Sequence, residues 1–129
     1  MNYKNKTSSK KINNLLELDF KCRFEKGIEK YIYDTEASIE LIAKEMTMSI
    51  STLERWVKKI YACTPKKYII EKKLEKAHNL LHSQDYKVNN VAQLVGFNST
   101  SYFCLCYKRK YENSPRVHST RARLYYKST

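Results

Sequence analysis

Only two glycines and two prolines punctuate a chain of 129 residues. With so few breakers, and with Lys, Leu, Ile, Glu and Ala running on without interruption, the chain reads as helical throughout. No stretch alternates apolar and polar residues with period two, so strands are not expected. Long apolar runs are missing too, which excludes a helix long enough to cross a bilayer. The first residues, MNYKNKTSSKK, are polar and basic without an apolar centre, so no leader peptide is expected. Cysteines number four, but the closest pair, Cys104 and Cys106, is one residue apart on an expected helix. Reduced thiols in a cytoplasmic protein fit better than disulfides. At 42% hydrophobic content the chain can fold as one body or as two small lobes sharing an element.

Acidic residues are also scarce, 13 against 25 Lys and Arg, for a formal charge of +12. The imbalance is uneven. Residues 1–11 carry +4, residues 12–50 carry 5 basic and 8 acidic groups, and residues 51–129 carry 16 basic and 5 acidic groups, a net +11. A field concentrated in the second half suits a polyanionic partner better than a generally solvated surface.

The two prolines reveal a repeat. Pro65 and Pro115 stand 50 residues apart, each after a hydroxyl residue, Thr64 and Ser114. Lys58 and Lys59 precede the first as Lys108, Arg109 and Lys110 precede the second. Leu53 and Phe103 match at the same offset, and Ala43 and Ala92 match at 49, so one supersecondary unit occurs twice. A hydroxyl followed by proline is a helix start, because the side chain accepts from an orphan N–H and proline has none to lose. Downstream of Pro65, Ile70, Leu74, Ala77 and Leu81 follow steps of four, three and four, which predicts a connecting helix over 64–82.

Each unit has the pattern of two helices crossing over a tight turn. In the first, Ala43 is the small residue at the crossing, Ile42 and Met46 flank it, and Met48 plugs the turn. Leu53, Trp56, Val57 and Ile60 make the inner face of the second helix, leaving Ser51, Arg55, Lys58 and Lys59 outside. In the second, Ala92 takes the crossing, Val91 and Val95 flank it, Gly96 supplies a positive φ and Phe97 plugs the turn. Phe103, Cys106 and Tyr107 face inward; Thr100, Ser101, Cys104, Leu105, Lys108 and Arg109 face outward. Trp56, Phe103 and Tyr107 lie inside apolar stripes and are expected in the core. Arg55 projects from the middle of its helix, where a guanidinium can donate two bonds to guanine O6 and N7. Glu54 either accepts from a cytosine amino group or orients Arg55. The basic residues at the helix C-termini favour the helix dipole and reach phosphates equally well.

The stretch from about Phe20 to Arg121 resembles the DNA-binding domain of the AraC/XylS family of bacterial transcription regulators. The residues that carry the likeness are Lys76-Ala77, Leu80-Leu81, Val91-Ala92, Val95-Gly96-Phe97, Tyr102-Phe103 and Ser114-Pro115. The resemblance implies an all-α fold of about seven helices, two helix-turn-helix subdomains joined by a long central helix. It divides the chain into a flexible basic arm (1–18), a first lobe (19–63), a connecting helix (64–82), a second lobe (83–121) and a tail (122–129). It implies double-stranded DNA as partner, admits RNA polymerase as a second, and names no effector, cofactor or metal. One recognition helix per lobe would enter successive major grooves about 34 Å apart. Carried over position by position, Ser51, Glu54 and Arg55 would face bases in the first lobe, and Thr100, Ser101, Cys104 and Leu105 in the second, with Thr52 also among the DNA-binding residues. Lys58, Lys59, Lys108 and Arg109 would grip phosphates. Leu105 departs from the polar residue usual there, leaving thymine-methyl contact and backbone grip as alternatives. Ala62 and Glu112 replace the glycine usual after each recognition helix. A left-handed cap without glycine costs about 1 kcal/mol, so both ends are expected to be remodelled. His118-Ser119 stands in place of an aromatic-Arg pair, which leaves the last helix open.

Rival readings are weaker. His78 and His82 form the one pair at metal-ligand spacing and read as solvated residues on the connecting helix, and nothing else arranges Cys, His and carboxylates as an enzyme site. A single-strand or RNA module would use aromatics between basic residues, as in Tyr102 to Tyr111, yet the large rings fall on the core face. An adaptor that lost DNA contact is suggested only by Cys104 and Leu105.

Overall fold

The computed structural model describes residues 3–34, 38–83 and 85–118. Among them are seven helices and no strand: α1 (Tyr3–Tyr31), α2 (Ser38–Glu45), α3 (Ile50–Tyr61), α4 (Pro65–Ser83), α5 (Val88–Leu94), α6 (Thr100–Tyr111) and α7 (Pro115–His118). The tail at 122–129, the last residues of the second lobe (119–121) and the Ser119 half of the His118-Ser119 pair lie outside the described residues.

Two apolar clusters organise the helices. In α1, Phe20, Phe24 and Ile28 recur every fourth residue and so share one face, with Ile32 continuing the series just past its end. They pack on Ile42 and Ala43 of α2, Met46 just past its end, Leu53 and Val57 of α3 and Ile69 of α4. The second cluster takes Leu74, Ala77 and Leu81 from α4, Val91 and Ala92 from α5, Phe103, Cys106 and Tyr107 from α6, and Val95 and Phe97 from the turn. One continuous helix thus serves both cores. Gly27 lets α1 and α2 approach closely, since a Cβ there would stand 3.2 Å from the Ile42 Cγ2.

The start of the chain departs from expectation. The segment 1–18 was expected as a flexible arm, but α1 begins at Tyr3, and Glu17 in its middle pairs with Lys59 of α3 at 3.4 Å. The physical reason is propagation: a helix nucleated by the packed Phe20–Ile32 segment extends upstream at little cost through Leu15, Leu16, Glu17 and Leu18. Ile12, Leu15, Leu16 and Leu18 of this extension remain exposed.

The two turns are built alike. Met48 N–H bonds the Ala43 carbonyl at 2.9 Å and Thr47 N–H the Lys44 carbonyl at 3.1 Å; Phe97 N–H bonds Ala92 at 2.9 Å and Gly96 N–H bonds Gln93 at 3.0 Å. This is the paired six-to-one and five-to-two closure of a helix end, with the following apolar residue folded back as a plug. It needs a left-handed residue, Thr47 (φ 53) in the first turn and Gly96 (φ 86) in the second. Only the second must be glycine. A Cβ on Gly96 would lie 2.6 Å from the Tyr33 carbonyl oxygen, whereas the Thr47 side chain is in solvent.

Lys73 is the buried charge of the described residues, 7% exposed. Its ammonium donates to the Gly96 carbonyl at 3.0 Å and to the Asp34 carbonyl at 3.4 Å, and lies 5.7 Å from the centre of the Phe97 ring. Burial pushes its pKa below the ordinary lysine value, the Asp34 carboxylate opposing the shift. From the central helix it therefore ties the end of α1 to the turn of the second lobe. A second tie joins α1, α3 and α4: the Tyr61 hydroxyl donates to the Glu25 carboxylate at 3.0 Å and the Tyr68 hydroxyl donates to the same oxygen. Burial, then the carboxylate, raise both phenols well above the usual tyrosine range.

Gly96→Ala is expected to lower stability by roughly 2–4 kcal/mol, from the left-handed backbone and the collision with Tyr33. Thr47→Gly should act the other way, raising stability by up to about 1 kcal/mol as the left-handed strain is relieved. Urea unfolding midpoints measured side by side check both signs.

Candidate nucleic-acid interface

Local sequence starts both α3 and α6 in the same way. Ser49 Oγ accepts from the Thr52 N–H at 3.2 Å, and Ser99 Oγ accepts from the Tyr102 N–H at 3.2 Å. These two caps are also 50 residues apart. From the sequence, hydroxyl caps are expected only at Thr64 and Ser114, although a serine three residues before Thr52 and before Tyr102 is the usual signal. Thr64 does cap α4, accepting from Lys67 N–H at 3.1 Å. At the other ends, Ala62 (φ 58) and Glu112 (φ 65) keep the left-handed conformation that the family's glycine would take, with N–H bonds to Lys58 at 3.0 Å and Lys108 at 2.8 Å. The remodelling expected there does not occur, because one bond and the following Thr64-Pro65 or Ser114-Pro115 start hold each end in place.

The helical phases come out as expected. Leu53 and Val57 are fully buried, Trp56 and Ile60 pack partly buried against the first cluster, and Phe103, Cys106 and Tyr107 are buried in the second. Trp56 stacks on Phe20 with centroids 5.2 Å apart, which occupies its face with core contact.

On the outer side of α3, Ser51, Glu54, Arg55, Lys58 and Lys59 are exposed. Arg55 and Lys58 make no ion pair among the described residues. Lys59 differs: its ammonium is shared between Glu17 of α1 and the Trp56 ring, 5.6 Å from the centroid. Thr52 is half-buried, and its hydroxyl accepts from Ser49 Oγ at 2.9 Å, so it is engaged in the cap.

On α6, Thr100, Ser101, Leu105, Lys108 and Arg109 are exposed, Leu105 at 47%. Cys104, expected to face outward, is half-buried against the second cluster, and burial pushes its thiol pKa up. Its position one residue past Phe103 turns it toward the flank of the helix instead. Tyr102 is the exposed aromatic of α6, 43% accessible, while Phe103 and Tyr107 are fully inside.

One grouping was not legible in the sequence. A cleft of about 440 Å³ between α4 and α6 is lined by Lys66, Lys67, Arg109 and Lys110 with Ile70, Leu74 and Tyr102 among its walls. Lys110 pairs with Glu71 at 3.2 Å, leaving Lys66, Lys67 and Arg109 exposed at the rim. These cations are some 40 residues apart in sequence, and only the packing of α6 on α4 joins them.

Two small lobes, each with a capped outer helix presenting a polar and basic face, define a tandem helix-turn-helix protein. A family profile described as a helix-turn-helix domain matches residues 42–121. The chain belongs to this AraC/XylS-type family, whose members are DNA-binding transcription regulators rather than enzymes. It is 32% identical over 84 residues to the HTH-type transcriptional activator RhaS of Mannheimia succiniciproducens, an alignment covering 65% of this chain and 31% of that protein. The chain thus spans about a third of the length of the curated relatives it matches. Among solved structures, the C-terminal domain of the response regulator yesN from Fusobacterium nucleatum aligns with a TM-score of 0.69 at 25% identity, covering 74% of this chain and 92% of that one. The DNA-binding domain of AdpA, solved with a target DNA, shares the fold with a TM-score of 0.70 at 23% identity, covering 84% and 94%.

On duplex DNA, Lys58→Ala should reduce the slope of log affinity against log salt by about one unit. Lys59→Ala should reduce it by less, because Glu17 already neutralises that ammonium. Fluorescence anisotropy over a salt series measures both, and equal effects would detach Lys59 from its acid in the bound state.

Proposed function

We propose that this chain is a sequence-specific regulator of transcription that grips double-stranded DNA by inserting α3 and α6 into successive major grooves. The observation that carries the reading is the repeated construction of the two helices. Each has a serine cap, a buried apolar face, a left-handed end and an outer side on which Ser51, Glu54, Arg55 and Lys58, or Thr100, Ser101, Lys108 and Arg109, stand clear of the core. The 19-residue α4 between them is about 28 Å long, of the order of one duplex turn.

Roles follow from chemistry. Arg55, in no ion pair among the described residues, supplies a two-pronged donor for guanine, and Glu54 beside it accepts from a cytosine amino group or steadies Arg55. Ser51, at the start of α3, reaches the adjacent base edge or sugar. Thr52 contributes through the cap that orients this first turn. In the second lobe Thr100 and Ser101 offer hydroxyls, and exposed Leu105 offers an apolar contact to a thymine methyl. Cys104 serves there as packing that holds the outer face. Lys58, Lys108 and Arg109 bind phosphates, joined by Lys66 and Lys67 at the cleft rim, with Lys59 contributing once Glu17 releases it. Base reading is thus weighted toward the first lobe. RNA polymerase is the proposed second partner, in line with the activator named among the relatives, and the cytoplasm is the proposed compartment. No helix of the described residues is long and apolar enough to cross a membrane.

Selection from a random duplex library should yield a site preferred over random duplex by at least about 10³ at physiological salt. On that site Arg55→Ala should cost about 1–3 kcal/mol and relax preference at one base pair. An equal loss on every sequence would make Arg55 a phosphate contact, and enrichment of single strands over duplex would sink the reading.

A further inference from the structure

The three histidines of the chain meet at one place. His78 and His82 lie on the last turns of α4, and His118 ends α7; one ligand nitrogen from each falls within 4.8 Å of the others. The ring centroids of His78 and His82 are 4.1 Å apart, and those of His118 lie 5.5 Å and 5.1 Å from them. All three are half-buried. The sequence offered only the pair on α4, since His118 is 36 residues further along and joins it through the packing of α7.

We propose that these imidazoles form a binding site for one divalent transition-metal cation, zinc foremost, which staples α7 to the end of α4. The hydrogen bonds favour this use. A carbonyl can only accept, so the 2.8 Å contact between His82 Nδ1 and the His78 carbonyl fixes the proton on Nδ1 and leaves the lone pair on Nε2. His118 Nδ1 stands 2.8 Å from the Tyr107 hydroxyl, which can accept its proton in the same way. A carbonyl and a phenol behind the ligating rings are the kind of support that orients metal-bound histidines.

Zinc–nitrogen bonds of about 2.0–2.1 Å place tetrahedral ligands roughly 3.4 Å apart. Closing from 4.8 Å takes small side-chain rotations of half-buried rings, and water completes the shell. Three imidazoles suit zinc, nickel and copper better than magnesium or calcium.

The site adds to the DNA-binding reading without depending on it, and its test needs no DNA. The full chain, stripped with chelator, is titrated with zinc chloride against a chromogenic zinc indicator. One equivalent per chain should bind with a dissociation constant of about 1 μM or below, and saturating zinc should raise the thermal midpoint by about 5 °C. Cobalt(II) in place of zinc should give a visible spectrum without thiolate-to-metal charge transfer, which separates the histidines from the four cysteines. His118→Gln should weaken binding at least about 30-fold and abolish the thermal shift while far-ultraviolet circular dichroism stays unchanged. Should that variant not fold, His82→Gln is expected to give the same result. Absence of a saturable equivalent, a thiolate band, or undiminished affinity in a folded histidine variant overturns the proposal.

Discussion

An ammonium buried at the middle of the molecule sets the relation between its two halves. Lys73 sits on α4 between Ile69, which belongs to the first core, and Leu74, which belongs to the second. Removing a charge from water is costly unless its donors are satisfied, and the carbonyls within its reach are those of Asp34 and Gly96. The first closes the end of α1 and the second closes the turn before α6. Satisfying one side chain therefore fixes both lobes against the same helix. The glycine follows from this arrangement, since the turn can reach Lys73 only by lying against the Tyr33 backbone, where no Cβ fits.

Much of this was written locally and could be read. The offset of 50 between prolines, the apolar steps in α3, α4 and α6, and the turn glycine all depend on spacing along a helix or on one residue's backbone freedom. Leu53, Val57, Phe103 and Tyr107 accordingly lie where their phases put them. What escaped depends on contacts made by the folded chain. In sequence Lys73 is one lysine of a Lys72-Lys73 pair, and Glu25 is one acid among several until Tyr61 and Tyr68 converge on it. Helix propagation upstream of Phe20 hid behind a polar, basic composition. The left-handed ends at Ala62 and Glu112 show a cost of about 1 kcal/mol being absorbed when the next helix start leaves the chain no other route.

The same distinction explains the outer faces. Exposure of Arg55, Lys58, Lys108 and Arg109 follows from periodicity, but their electrostatic freedom does not. Lys59 looks equivalent to Lys58 in sequence and is held by an acid 42 positions earlier; Lys110 looks equivalent to Arg109 and is held by Glu71. Acids on α1 and α4 thus sort neighbouring cations into those retained by the protein and those open to a partner. Cys104 shows the converse, an expected surface residue that its place next to Phe103 sets on the flank of the second core, partly inside.

A final consequence belongs to α4. Because a single uninterrupted helix carries side chains for both apolar clusters, neither half owns a complete interior. Cutting between Ile69 and Leu74 would leave each core only a fragment of helix to carry its side chains and would break the link that Lys73 makes between the Asp34 and Gly96 carbonyls. A cut on either side of that interval would strip one core and expose an apolar stripe that invites aggregation. The lobes look duplicated in sequence, yet they are inseparable as folding units, so any recombination of such halves has to carry the shared helix along with its neighbours on both sides.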